Sequence, residues 1–251
     1  MIRLKDFSIG FSDRVLLENV NTSFQEGRLT AFIGRNGTGK STLMKAICGL
    51  NDKYEGEILI EDKNLRKIPK PSLARLLSYV NTQRPRMANL KCFNVVALGR
   101  SPYTGWHGKL TDKDKAIVEH ALEKVGMKDY ISRDFNSLSD GESQKIMIAR
   151  AIAQDTKIII LDEPTSFLDL PTRFELASIL KKLTVEEGKT IIFSTHELDI
   201  ALKMSDDIAL IHDKSLLNLP VEEIVSRGII EKVFPIPEIF FPNKISPHSI
   251  S

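Results

Sequence analysis

Residues 2–32 alternate apolar and polar positions, with turn signals at Ser12-Asp13 and Glu26-Gly27, and predict a small β-rich start. Thr30–Ile33 reads as a buried strand, Gly34–Gly39 as a glycine-rich loop, and Lys40–Gly49 as a helix with apolar positions at Leu43, Ile47 and Leu50. Glu57–Ile60 predicts a further strand, Ser72–Leu77 a short helix and Leu77–Asn81 a strand. Residues 84–110 are loop-rich. Pro85, Gly99, Pro102, Gly105 and Gly108 interrupt them around a short helical stretch at Phe93–Leu98. Asp112–Val125 predicts a helix with Ile117, Ala121, Leu122 and Val125 on one face and Thr111 as its N-cap. Gly141–Gln154 predicts another.

The pattern then turns to α/β. Lys157–Leu161 is a β-branched run suited to a strand buried on both faces. Residues 172–183 read as helix, Thr190–Ser194 as strand, Leu198–Met204 as helix and Ile208–His212 as the last strand. Two α/β segments thus flank a mainly helical middle, as when a subdomain is inserted into a parallel-sheet core. Residues 235–251 hold Pro235, Pro237, Pro242 and Pro247, which exclude a long helix and predict an irregular tail.

The chain has 251 residues, enough for one large domain or a core with an inserted subdomain. Lys+Arg number 35 against 33 Asp+Glu, so net charge gives no bulk case for nucleic acid as a partner. Cys48 and Cys92 form no C-x-x-C pair or Cys/His cluster, which speaks against a zinc site or a disulfide framework. The start, MIRLKDFSIGF, lacks the apolar stretch of a secretory signal. No apolar run approaches the roughly 20 residues that span a bilayer.

Chemistry enters at Gly34-Arg35-Asn36-Gly37-Thr38-Gly39-Lys40-Ser41, a full G-x-x-x-x-G-K-[ST] match between a strand and a helix. Glycines let the backbone curl so that N–H groups face phosphate oxygens, and the positive helix end adds to this. Lys40 would reach the β- and γ-phosphates, and Ser41 would offer its hydroxyl to Mg²⁺. A second site, Ile158-Ile159-Ile160-Leu161-Asp162-Glu163, ends a strand expected beside the loop-bearing one. Asp162 is placed to hold Mg²⁺, and Glu163 to orient the water that attacks the γ-phosphate. Phosphoryl transfer asks a protein mainly for positioning and charge neutralisation, which these four groups supply.

Leu138-Ser139-Asp140-Gly141-Glu142 resembles the signature segment of ABC ATPases, usually Leu-Ser-Gly-Gly-Gln. The resemblance covers residues 2 to about 234. It implies a P-loop NTPase with a RecA-like parallel-sheet core, a small antiparallel β subdomain and an inserted helical subdomain. The implied division is one ABC ATPase domain over 1–234, with the core at 1–83 and 155–234, the helical subdomain at about 84–154, and a tail at 235–251. In the family the signature binds the γ-phosphate held by a second protomer, here through Ser139, Gly141 and Glu142. Asp140 and Glu142 depart from the pattern and are expected to point away or to pair with Lys145. The resemblance also makes Gln83 a contact to Mg²⁺ and a sensor of the membrane partner. It makes Asp169, in Ser166-Phe167-Leu168-Asp169, a coupler of the protomers, and His196 the switch histidine at the γ-phosphate. The phosphate loop extends to Thr42. Phe11 falls where the family stacks an aromatic ring on adenine, and fits a core position equally well. His107, His120, His212 and His248 show no metal-like spacing.

Val80-Asn81-Thr82-Gln83, and Ala97–Tyr103 with Gly105-Trp106, Leu110-Thr111 and Asp114, resemble the ATPase subunits of iron-siderophore, haem and vitamin B12 importers. The alternative is that Pro102, Tyr103 and Trp106 only pack a loop. Near Leu219–Ile224 the family's Gly-Thr is absent, while Val225–Phe234 still predicts the helix that follows. The implied protein is a homodimeric ATP hydrolase using ATP and Mg²⁺. It lies peripherally on the cytoplasmic face of the inner membrane, bound to permease subunits and indirectly to a substrate-binding protein. The cargo is an iron-siderophore or related chelate. The alternatives are haem, vitamin B12 or another cargo, an ABC ATPase without a transporter, and a P-loop kinase.

Overall fold

The structure is a computed structural model and describes residues 1–11, 14–81, 89–105, 108–166 and 168–234. The turn at Ser12-Asp13, Thr82, Gln83, Trp106, Phe167 and the 235–251 tail lie outside the described residues.

Two sheets organise the chain. Strands β1 (Ile2–Phe11), β2 (Arg14–Phe24), β4 (Tyr54–Ile60) and β5 (Lys63–Asn64) form an antiparallel sheet in the order β2-β1-β4-β5. Strands β3 (Leu29–Ile33), β6 (Leu77–Val80), β7 (Ile158–Leu161), β8 (Thr190–Ser194), β9 (Asp207–His212) and β10 (Ser215–Pro220) form the second, in the order β10-β9-β3-β8-β7-β6. Its pairings are parallel except at β9–β10.

The parallel strands are apolar on both faces because both faces are covered. Residues of one strand alternate between two cores, as the two-residue side-chain period requires. Ile159, Leu161, Ile191, Phe193, Ile208 and Leu210 enter one core, and Ile158, Ile160, Ile192, Ala209 and Ile211 enter the other. The first core is shared with α3 (Cys92–Ala97), α4 (Asp112–Lys124), α5 (Asp140–Ala153) and α6 (Leu170–Glu187). The second lies between the sheets, around α1 (Lys40–Ile47), with Phe7, Phe24, Phe32 and Leu43 at most 1% exposed. Each such side chain contributes about 1.5–3 kcal/mol on burial.

Helix ends follow local chemistry. Thr111 and Asp114 form a capping box at the start of α4. Asp169 caps α6, its carboxylate accepting from Thr172 N–H at 3.1 Å, with Pro171 in the first turn. Helices α2 (Lys70–Leu76), α7 (Leu198–Met204), α8 (Val221–Ser226) and α9 (Ile229–Val233) complete the set.

Four expectations are corrected. Strand β7 does not lie beside β3, because β8 sits between them. Strand β9 is not the last, because β10 returns antiparallel along its free edge. The helix expected over Val225–Phe234 is two short helices that start earlier, at Val221, and break around Gly228. Leu50 lies beyond α1 and is exposed rather than on its buried face.

Candidate nucleotide site

The loop between β3 and α1 brings the phosphate-binding motif to the C-terminal end of the parallel strands, where open α/β sheets place ligands. Gly39 is the N-cap of α1 at φ 105, and Gly37 sits at φ 76. Both are left-handed values that side chains other than glycine adopt at a cost. An open cleft of about 390 Å³ is lined by Phe11, Arg14, Asn36, Gly37, Lys40, Ser41, Thr42 and Glu163, among others.

Lys40 is 6% exposed, and its Nζ donates to the carbonyl of Gly34 at 2.8 Å. Burial lowers its pKa, opposed by the charges of Glu163 and Asp162. Ser41 Oγ donates to Asp162 Oδ1 at 2.9 Å, so a helix start and a strand end 121 residues apart meet here. Ser194, at the end of β8, also donates to Asp162 Oδ1, at 2.7 Å, and accepts from the Glu163 N–H at 2.8 Å. Tyr79, on β6, donates to Asp162 Oδ2 at 3.3 Å, and burial pushes its phenol well above the ordinary range. Glu163 follows in left-handed backbone, φ 47, with Ser166 Oγ donating to its Oε2 at 2.8 Å. That conformation costs of order 1–3 kcal/mol in a non-glycine residue and is characteristic of functional sites.

His196 is reached from the other side of the loop. It lines a second hollow with Gly34, Arg35, Asn36, Thr195 and Phe234. Asn36 borders both spaces, so the loop separates His196 from Lys40.

Ser139, Gly141, Glu142 and Asp169 do not line the cleft. Ser139 caps α5 and Glu142 N–H donates to its hydroxyl at 3.2 Å, while the Glu142 carboxylate accepts from Ser139 N–H at 2.8 Å. That bond first, and the Tyr130 hydroxyl second, hold the Glu142 carboxyl below its usual range. Of the two arrangements expected for Glu142, pointing away or pairing with Lys145, neither describes it: its carboxylate turns back onto the Ser139 N–H, and Lys145 binds Glu175 at 2.6 Å. Gly141 packs on the first turn of α6, where a Cβ would lie 3.0 Å from Thr172. Gly141 and the residues around Asp169 are therefore neighbours. Gln83 lies outside the described residues.

Phe11 is 65% exposed, which removes it from the core and leaves its ring at the cleft. The ring, the cationic loop and the hard oxygen donors of Ser41 and Asp162 fit a nucleoside triphosphate and a Mg²⁺ ion. Sequence reasoning missed Ser194, Tyr79, Ser166 and Arg14. A hydroxyl ending an apolar strand, as at Ser194, was the available signal.

The family model for the ABC transporter matches residues 17–166. The iron(3+)-hydroxamate import ATP-binding protein FhuC of Bacillus subtilis is 33% identical over 233 residues, 92% of this chain and 87% of that one. A solved transporter assigned to the metal-chelate type, in an inward-facing conformation, superposes with TM-score 0.83 at 25% identity, covering 94% of this chain and 89% of that chain. A dimeric ATP-binding cassette in a post-hydrolysis state, bound to ADP and Pi, gives TM-score 0.76 at 26% identity over 88% of this chain and 99% of that one.

Proposed function

Because the chain belongs to the ABC transporter family, we propose that it binds and hydrolyses ATP as a homodimer to drive a membrane importer of an iron-siderophore or related metal chelate. The observation that carries the ATPase reading is the Ser41–Asp162 hydrogen bond beside buried Lys40. The cargo reading rests on the hydroxamate-import relative and the metal-chelate type transporter.

Each ATP lies between one protomer's Gly34–Thr42 loop and the other's Ser139, Gly141 and Glu142. That Ser139, Gly141 and Glu142 do not line the cleft of their own chain supports the head-to-tail arrangement. Phe11 stacks on the base, Lys40 neutralises the phosphates, Glu163 orients the attacking water, and His196 holds the γ-phosphate. Ser41, Asp162 and Gln83 would hold Mg²⁺, which when bound neutralises charge on the phosphates. ATP binds the closed dimer better than the open one and so shifts that equilibrium.

The core comprises 1–83 and 155–234, the helical subdomain 84–154, and the tail 235–251. Among the described residues no helix is long and apolar enough to cross a membrane. The chain docks on permease subunits at the cytoplasmic face of the membrane, with a substrate-binding protein as an indirect partner. Residues 63–111 carry ten Lys and Arg and no Asp or Glu, which leaves the rest of the chain acidic. That run suits a side facing an anionic leaflet.

The test is Glu163→Gln. It binds ATP, hydrolyses it far more slowly and elutes as a dimer, and from gently solubilised native membranes it brings down a polytopic membrane protein. Near-normal turnover removes Glu163 from its role, and co-purified ribosomal or DNA-repair proteins without a permease overturn the transport reading.

A further inference from the structure

We infer that Arg173 is a positioning residue that ties the Asp169 loop to the His196 segment, so that movement of one displaces the other. The inference rests on the proposed roles of those two residues. Arg173 stands one turn into α6, half-buried. Its Nε donates to the carbonyl of Leu168, next to Asp169, at 2.6 Å. Its Nη1 lies 2.8 Å from Oε1 of Glu197, next to His196.

Glu197 is the unusual partner. Its side chain is 7% exposed. The Arg173 contact is at ion-pair distance without hydrogen-bond geometry, and neither carboxylate oxygen takes another hydrogen bond among the described residues. A buried carboxylate is tolerated when a cation compensates it, and here Arg173 is that cation. Glu197 N–H in turn donates to Thr195 Oγ1 at 3.0 Å, and Thr195 N–H donates to the carbonyl of Phe32 on β3 at 3.1 Å. His196 is thus an exposed residue between two buried, anchored neighbours. One anchor is the core strand, and the other is Arg173.

The fork geometry of a guanidinium matters. One planar group spans a backbone carbonyl and a carboxylate at once, which an ammonium cannot do from a single point. A shift of Leu168 moves the guanidinium, and the compensating charge pulls Glu197 with it. The loop through which one protomer meets the other is thereby linked to the side chain at the γ-phosphate of its own nucleotide.

The test compares four purified proteins. Wild type sets the baseline. Arg173→Lys keeps the buried charge compensated but cannot make both contacts. Glu197→Gln removes the charge that follows the guanidinium. Arg173→Leu with Glu197→Leu removes both charges, leaving no uncompensated ion if the lysine variant fails to fold. Each is scored for thermal melting, ATP affinity, kcat, KM and cooperativity in ATP. Displaced reacting groups cost up to about 100-fold in rate. All three variants are expected to keep ATP affinity and KM within about two-fold, to lose about 10- to 100-fold in kcat, and to lose cooperativity. The double-leucine protein melts like wild type yet stays slow. Wild-type kcat and cooperativity in the double-leucine protein overturn the inference and leave the pair a structural one. Failure of the parent reading shows separately, as wild type that neither binds nor hydrolyses ATP.

Discussion

Ser194 Oγ donates a hydrogen bond of 2.7 Å to Asp162 Oδ1, joining the ends of β8 and β7 at the carboxylate proposed to hold Mg²⁺. The same hydroxyl accepts from the Glu163 N–H at 2.8 Å. One fully buried serine therefore orients both members of the Asp162-Glu163 pair.

Ser194→Ala is expected to weaken the response to Mg²⁺ more than the binding of ATP itself. Outer partners of metal-holding carboxylates are worth about 10- to 100-fold in metal affinity or activity. A Mg²⁺ titration of ATP hydrolysis, with nucleotide binding measured in parallel, checks this. An unchanged half-saturating Mg²⁺ concentration removes Ser194 from the site. The fold itself should lose about 1 kcal/mol, because the part-buried Glu163 N–H loses its acceptor.

Gly99 lies where the short helical turn Leu98–Arg100 crosses α5. A Cβ there would stand 2.3 Å from the carbonyl of Arg150 and 3.0 Å from the backbone nitrogen of Gln154. Neither atom can move without disturbing the end of α5. Gly99→Ala should destabilise by at least the 1–3 kcal/mol typical of overpacking. At this chain length each kcal/mol lowers Tm by about 2–4 °C. Thermal melting reads the effect directly, and a variant that melts with wild type shows that the two elements separate freely.

Why the sequence revealed some of this and concealed the rest follows from burial. Lys157–Leu161 and Thr190–Ser194 announce themselves as strands because covering both faces makes the whole run apolar. The same uniformity hides strand order, since nothing local in Ile158–Leu161 says that β8 rather than β3 is its neighbour on that side. Strand β10 ends in Pro220, a residue that argues against a strand, and it survives because it pairs only with β9, at the sheet's edge. The phosphate loop was legible because its spacing is itself the constraint. Ser194 and Arg173 were not, because their partners lie 32 and 24 residues away along the chain. The Ser139–Glu142 capping box was present as S-x-x-E, but reading the segment as a phosphate contact turned its acid outward or toward Lys145 instead of back onto the Ser139 N–H.

Arg100 and Asp114 form a buried pair at 2.9 Å, with side chains 6% and 10% exposed. The Thr111 hydroxyl, then the Thr111 N–H and Arg100, hold the Asp114 carboxyl at about 2. A depressed carboxyl contributes stability that is present above its unfolded value, about 3.9, and is lost as pH falls through the folded one. The window is therefore pH 4 down to about 2. Asp114→Asn leaves Arg100 without its counter-charge and should cost about 3–5 kcal/mol at neutral pH. Urea unfolding between pH 7 and pH 3 should show the gap from wild type narrowing only below pH 4. A gap that stays constant across that range assigns the carboxylate no such role.

Phe7, Ile9 and Phe11 alternate along β1 and read as one core-facing row, yet the row divides. Phe7 and Ile9 are 0% and 3% exposed, while Phe11 at the strand's end is 65% exposed. A ring left in water at the mouth of a phosphate-binding cleft has little to contribute to the fold and much to offer a base. Stacking of an aromatic side chain on a base is worth about 1–3 kcal/mol. Phe11→Ala should therefore weaken ATP binding by about 5- to 150-fold, the same energy expressed as an affinity ratio. Thermal stability without nucleotide should stay within about 0.5 kcal/mol, as for other surface changes. Phe11→Trp, which keeps a face to stack on, should restore affinity. Calorimetric binding of ATP to the three proteins decides the matter. An alanine variant that binds as tightly as wild type would place the adenine elsewhere on the cleft wall.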